Sequence, residues 1–338
     1  MEFLTNKQLA NYVSMRLGGP ATEIVAIHNE KDVVKACDYA TSKSLPVLTL
    51  GSGTNIIFKD AGFNGVVLLN KIPGLTVDGS TGLVEAGGGV SWDKAVEQAI
   101  GEGLCGIESL THIPGTCGAA PINNIGAYGQ ELKDTFDHLR AYDTKARTFI
   151  EIFNKDCDFS YRNSRFKAED YGRYIICKIY LKLQKTPPDY TPPNYPSLLK
   201  ELSGKSIDSP QPLDVRESLI TLRGNRLPDV NKEPNTGSFY KNPIVTKSVV
   251  DNLLNSYPDM PHYPLENDKE KLAAGWLIDK AGLRGYRRNG IWIYDKQALV
   301  IVNESAKSYA QLQQMSDLIV ATVNQKFGIN LKIEPEII

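Results

Sequence analysis

The sequence predicts an α+β protein in two parts, on three observations. The first seventy residues carry a β-α-β pattern, and the stretch after them reads as antiparallel hairpins. Residues 185–197, KTPPDYTPPNYPS, then hold five prolines in thirteen positions and lead into a more helical remainder. That composition resists both helix and sheet, so the break is expected near 185–200, as a domain boundary or a semi-rigid lid.

In order, EIVAI (23–27) predicts a strand, and Val33, Val34, Cys37 and Ala40 predict a helix after Asn29. LPVLTL (45–50) and GVVLLN (65–70) follow as buried strands. A hairpin is expected over 75–86, turning at Asp78-Gly79. Ser91 is expected to cap a helix whose stripe is Trp92, Val96, Ala99 and Ile100. Residues 140–150 predict a second hairpin. In 174–183 the alternation of Ile175, Cys177, Ile179, Leu181 and Leu183 predicts a half-buried strand. Helices are expected over 270–281 and 308–327, each closed by a glycine (Gly282, Gly328), with strands at 298–302 and 329–333.

With 38 basic and 39 acidic residues, the chain has no global pull toward nucleic acid. Five widely spaced cysteines without a C-x-x-C argue against zinc or a redox motif and fit reduced thiols in a cytosol. The start lacks the pattern of a secretory signal, and no apolar run has the length of a membrane span. The expectation is a cytoplasmic protein with no metal, no nucleic acid and no membrane partner, with a monomer favoured.

GEGLCG (101–106) matches the dinucleotide fingerprint by letter but follows a helix rather than a strand, so the match is rejected. LGSGTN (50–55) is better placed, at the carboxyl end of a buried strand. There Gly51 and Gly53 would let backbone N–H groups approach phosphate oxygens while Ser52, Thr54 and Asn55 add side-chain bonds; a plain tight turn is the alternative. THIPGTCGAAPINNIGAYG (111–129) holds four glycines, two prolines and no Asp, Glu, Lys or Arg. A loop so slender could lie against a large planar ligand, or could be a Gly-rich loop packed in the core. Two such loops in one half suggest a dinucleotide held without a Rossmann fold, with FAD leading.

GSGTN, IPGTCGAAPINNIGAYG, YRNSRFK (161–167), GSFYKNP (237–243), KLAAGWLID (271–279), QALVIVN (297–303) and EPE (334–336) occur in this order. Together they resemble the UDP-N-acetylenolpyruvoylglucosamine reductases, the MurB flavoenzymes of bacterial peptidoglycan synthesis, over nearly the whole chain. The Pro- and Tyr-containing segment at 185–197 is similar to the form that closes a tyrosine-bearing loop over its substrate. The resemblance implies a PCMH/VAO-type FAD-binding fold of two subdomains (1–70 and 71–200) plus a C-terminal α+β substrate domain (201–338). It also implies FAD and NADPH as cofactors, used from one face in turn.

The implied reaction reduces an enol ether conjugated to a carboxylate, which requires a fixed cation near the developing charge and a proton donor. By motif, Arg162 would hold the substrate carboxylate, Ser238 would protonate the carbon, and Glu336 would assist with Arg162. The flavin contacts implied are Gly51, Ser52, Gly53, Thr54, Asn55, Pro114, Gly115, Gly118, Ala119, Asn124 and Gly126. Those for the UDP-sugar are Tyr128, Tyr161, Tyr195, Arg226, Asn242, Tyr263, Arg284 and Gln297, with Tyr195 on the lid. Arg226 and Arg284 stand where some members have lysine, which keeps the charge but changes the donor geometry. Longer members continue beyond Ile338, so the strand at 329–333 is the expected anchor of Glu336. Competing readings are an FAD oxidase or dehydrogenase of another sugar or alcohol, with flavin tethered through His112 or Cys117, and a nucleotide-sugar-binding protein without catalysis.

Overall fold

In the computed structural model, residues 1–205, 207 and 209–338 are described. They form two compact units that share the chain unevenly: residues 1–7, 21–52 and 63–225 in one, and 8–20, 53–62 and 226–338 in the other. Along the sequence the last crossing falls between Asn225 and Arg226, beyond the Pro-rich segment.

The first unit opens with a four-stranded sheet in the order Glu2–Phe3, Ala21–Ile27, Phe63–Asn70 and Val47–Leu50, the last three parallel. Helix α1 (Glu30–Ser42) makes the crossover that parallel strands require, and the Asn29 side chain caps it through the Asp32 N–H. A five-stranded antiparallel sheet follows, in the order Thr148–Phe153, Phe136–Asp143, Tyr174–Lys182, Leu83–Gly87 and Leu75–Asp78. The turn of the last hairpin is held by Asp78, whose carboxylate accepts from the N–H and hydroxyl of both Ser80 and Thr81.

Strand 174–182 differs from the expected half-buried pattern. Its pairing with 136–143 skips one residue between Lys178 and Ile176, a bulge that inserts Cys177. The alternation shifts there. Ile175 and Cys177 join one core with Val25, Ile27 and α1, whereas Ile176, Ile179 and Leu181 join another with α2 (Trp92–Gly101). The strand is therefore buried on both faces, and a single bulge converts a one-faced sequence pattern into a shared wall. Ser91 occupies the N-cap position of α2, but its side chain accepts no capping hydrogen bond; its backbone instead forms a β-bridge with Thr116. Helices α3 (Pro196–Gly204) and α4 (Pro212–Arg226) close this unit.

The second unit is built on an antiparallel sheet in the order Asn235–Ser238, Val300–Asn303, Ile291–Ile293 and Arg287–Arg288. Its core joins Met15, Leu17 and Ile57 to residues of α5 (Lys247–Ser256), α6 (Ala274–Lys280) and α7 (Tyr309–Phe327). Helix α7 ends at Gly328, left-handed at φ 68°, as its sequence predicts, and it begins with a Ser308/Gln311 capping box that the sequence reading did not single out.

Two expectations fail in this unit. Residues 269–272 are a strand rather than the first turn of a helix, and α6 spans only Ala274–Lys280. Lys269–Leu272 is the middle strand of a three-stranded sheet, with Glu270 and Leu272 buried, so period-2 burial decides over helical propensity. Residues 329–333 form no strand beyond a bridge between Ile333 and Tyr240. Among the described residues no helix is long and apolar enough to cross a membrane, and no group of His, Cys, Asp and Glu could hold a metal.

Candidate active site

The uncharged loop of the first unit is laid on as an extra ladder. Cys117 N–H donates to the Val90 carbonyl at 2.8 Å, Gly118 N–H to Gly88 at 3.0 Å, and Trp92 N–H to Gly115 at 3.1 Å. The contact leaves no room for a side chain: a Cβ on Gly118 would stand 2.9 Å from the Gly88 Cα. Trp92, fully buried, donates its indole N–H to the Leu110 carbonyl at 3.0 Å and fixes the loop's entry. Thr116, Cys117, Gly118, Ala120, Pro121, Asn123 and Asn124 are buried, whereas Pro114 and Ala119 are exposed. Part of the loop is thus packed in the core and part lies at the surface.

Gly51 and Ser52 close the parallel strand in this unit, and a Cβ on Gly51 would meet the Thr116 hydroxyl at 2.6 Å. That hydroxyl is buried without a hydrogen-bond partner among the described residues. Asn124 is fully buried, and its amide serves the loop itself: it donates to Glu131 at 3.0 Å and the Ser160 carbonyl at 3.2 Å and accepts from Lys133 N–H at 3.1 Å.

Residues other than glycine at positive φ gather here: His112 at 59°, Asn124 at 39°, Tyr128 at 48° and Arg162 at 53°. Bulky residues rarely adopt this conformation, and it persists where surrounding structure over-determines it. Gly126–Ala127 pairs with Gln130–Glu131, so Tyr128 and Gly129 form the two-residue turn, both at positive φ as a type I′ hairpin requires. Arg162 donates Nη2–H to the Gly126 carbonyl at 2.6 Å and lies over the Tyr161 ring at 5.3 Å. Tyr195 meets Tyr128 edge to face at 5.0 Å. The first unit therefore brings Gly126, Tyr128, Tyr161, Arg162 and Tyr195 together.

In the second unit, Gly53, Thr54 and Asn55 lead into Ile56–Ile57, which pairs in parallel with Glu336–Ile337. Gly53 is dictated by packing: at φ 68°, its Cβ would collide with the Tyr12 carbonyl at 2.1 Å. Glu336 N–H donates to Asn55 at 3.0 Å, Ile338 N–H to Ile57 at 3.0 Å, and Lys59 N–H to Ile338 at 2.8 Å. Glu336 is thus itself a strand residue, anchored by the last two residues rather than by 329–333. Its Oε1 is buried without a hydrogen-bond partner among the described residues.

Ser238 ends strand 235–238 and is exposed. Only Asn235 and Ser238 of this strand pair with 300–303, and Gly237 turns at φ 70° between them. Asn242 accepts from Ala274 N–H at 2.9 Å, and Gln297 is half-buried against Gly275. The remaining substrate candidates are outward: Tyr263 is on an edge strand, Arg226 is exposed at the end of α4, and Arg284 is exposed and paired with Asp279.

Arg223 escaped the motif reading. Its Nε is shut off from solvent without an acceptor, and burial draws its pKa down against the opposing pull of Tyr128, to which it is hydrogen-bonded. Helical spacing gave the available signal: seven residues earlier on α4, Arg216 makes a bidentate bond to Asp93 at 2.7 and 3.1 Å.

A family model described as UDP-N-acetylenolpyruvoylglucosamine reductase, C-terminal domain, matches residues 229–338, and one described as FAD binding domain matches 21–148. The UDP-N-acetylenolpyruvoylglucosamine reductase of Ralstonia nicotianae is 39% identical over 98% of this chain and 97% of its own. The chain belongs to this family. The Pseudomonas aeruginosa member is 36% identical over 100% of this chain and 99% of its own. The crystal structure of the Thermus caldophilus member has the same fold, at a TM-score of 0.68 and 22% identity over 99% of this chain and 98% of that one.

The residues fit the family's FAD. The unpartnered Thr116 hydroxyl beside Gly51, the uncharged loop and the exposed Ser52 supply neutral donors and backbone access. Cys117 does not fit a covalent tether: it is fully buried, and burial pushes its thiol up to about 12, where little thiolate forms.

Proposed function

We propose that the chain reduces UDP-N-acetylglucosamine enolpyruvate to UDP-N-acetylmuramate with NADPH through bound FAD, in the cytoplasmic synthesis of peptidoglycan precursors and hence in cell-wall growth, shape and division. The carrying observation is the 39% identity with the Ralstonia nicotianae reductase over 98% of this chain. The buried, unpartnered Glu336 Oε1 supports a ligand-directed role for that residue.

Bound FAD supplies hydride transfer between NADPH and the enolpyruvyl group. Reduction leaves carbanion character beside the substrate carboxylate, and Arg162 holds that carboxylate with a guanidinium already oriented by Gly126. The Ser238 hydroxyl delivers a proton to the carbon; so weak an acid suffices because the base is carbanion-like. Glu336 assists the proton transfer. Residues 1–70 and 71–200 are assigned to FAD, and 201–338 to the nucleotide sugar, with Tyr195 on the loop that meets it.

The purified protein is expected to be yellow, to bleach with NADPH without oxygen, and to recolour on addition of the enolpyruvyl sugar nucleotide. Bleaching that this substrate cannot reverse would overturn the reading. Release of all flavin on denaturation is expected, and a tethered flavin would favour the oxidase alternative.

A further inference from the structure

Glu108 is 2% exposed, a costly place for a carboxylate, and its hydrogen bonds come from neutral donors. Gly106 N–H donates at 2.5 Å and Gln130 Nε2–H at 2.9 Å, both from its own surroundings. The third bond, from the Tyr190 hydroxyl at 2.9 Å, arrives from the middle of the Pro-rich loop. Burial, and then the Glu108 charge, push the Tyr190 phenol well above its usual pKa, so it remains a donor.

The same short segment already holds the base of that loop. Gln184 and Lys185 pair with Cys105 and Leu104, and Thr186 N–H donates to Gly103 at 2.9 Å. Beyond Tyr190 the chain runs through Pro192 and Pro193 to Tyr195, which opens α3 and meets Tyr128 edge to face. Extended Pro-rich chain spans about 3.1 Å per residue, so from Thr186 alone Tyr195 could range ~28 Å, and from a fixed Tyr190 only ~16 Å.

We infer that Glu108 and Tyr190 form a latch that sets the position of Tyr195, and that both are positioning residues for the nucleotide-sugar substrate. The inference rests on the assignment of Tyr195 to the substrate. A loop ordered in advance costs less to order on binding, so the latch acts on substrate affinity rather than on chemistry.

Tyr190→Phe removes the hydroxyl and keeps the ring, and Glu108→Gln keeps the volume while weakening the acceptor. In substrate-free holoenzyme, chymotrypsin is expected to cut after residue 190 about tenfold faster in Tyr190→Phe, and less so in Glu108→Gln, a tenfold change being about 1.4 kcal/mol. KM for the enolpyruvyl sugar nucleotide should rise several-fold with kcat near the wild-type value, while NADPH bleaches the flavin at the wild-type rate. Digestion of both variants at the wild-type rate overturns the latch. Faster digestion with unchanged KM overturns the positioning role. Absence of turnover in the wild-type enzyme would instead sink the functional reading, with the cleavage rates still deciding the latch.

Discussion

Ser238 carries the proposed proton transfer from an exposed position at the end of its strand. It is exposed, it follows a left-handed Gly237, and it pairs with Val300. Ser238→Ala is therefore expected to leave the thermal midpoint almost unchanged, since exposed substitutions usually cost under about 0.5 kcal/mol. NADPH should still bleach the flavin, whereas recolouring by substrate should slow about 10²- to 10⁴-fold, the usual scale for a lost general acid. Wild-type recolouring would remove Ser238 from the reaction. At the same scale, motif spacing singled out Arg162 as a candidate but not its left-handed backbone, and Arg223 carried no motif at all.

The final strand shows what an element of two residues can hold. Glu336 is fixed because its own N–H and those of Ile338 and Lys59 complete a parallel pairing with Ile56–Ile57. Deleting Ile337 and Ile338 removes two of these bonds, about 1 kcal/mol each, and should lower the thermal midpoint by a few degrees. Turnover should fall much further, toward that of a Glu336→Gln variant. Loss of stability with normal turnover would show that Glu336 needs no such anchor. The parallel partner was invisible in the sequence because 56–57 and 336–337 are too short to display a period. The helix expected at 270–281 starts late for a related reason: Lys269–Leu272 alternates for only four residues, too few to stand out in sequence against the helical pattern that follows.

The first unit carries a charge network that ties the end of strand 136–143 to the turn before strand 174–182. Arg173 holds Asp143, 2% exposed, with a hydrogen bond at 2.6 Å, and shares Asp170, 6% exposed, with Arg165. Arg173 is the main cause that keeps Asp143 below its usual pKa. Burial pushes Asp170 up, but its two arginines outweigh this and bring it down as well. Depressed folded values place this stability above the ordinary carboxylate pKa near 4, and it is lost as pH falls through the depressed values. Arg173→Met should therefore lower the melting temperature clearly at pH 7 and less at pH 3. An equal drop at both would exclude the network as the cause.

Taken alone, the sequence determined what neighbours in the chain control: the β-α-β opening, the hairpins at Asp78 and 140–150, the Gly328 cap, the bulk-poor loop and the ordered motifs that name the family. Turn chemistry, capping and periodicity are local, so they can be read locally. Only the tertiary structure decided that residues 8–20 and 53–62 belong with 226–338, through contacts such as Ser14 Oγ–H to the Asn235 carbonyl, 221 residues apart. It also decided which polar atoms of the candidate site are left without partners, Thr116 Oγ1 and Glu336 Oε1 among them. Whether a buried group finds a partner depends on distant segments arriving beside it, and no window of sequence contains that information.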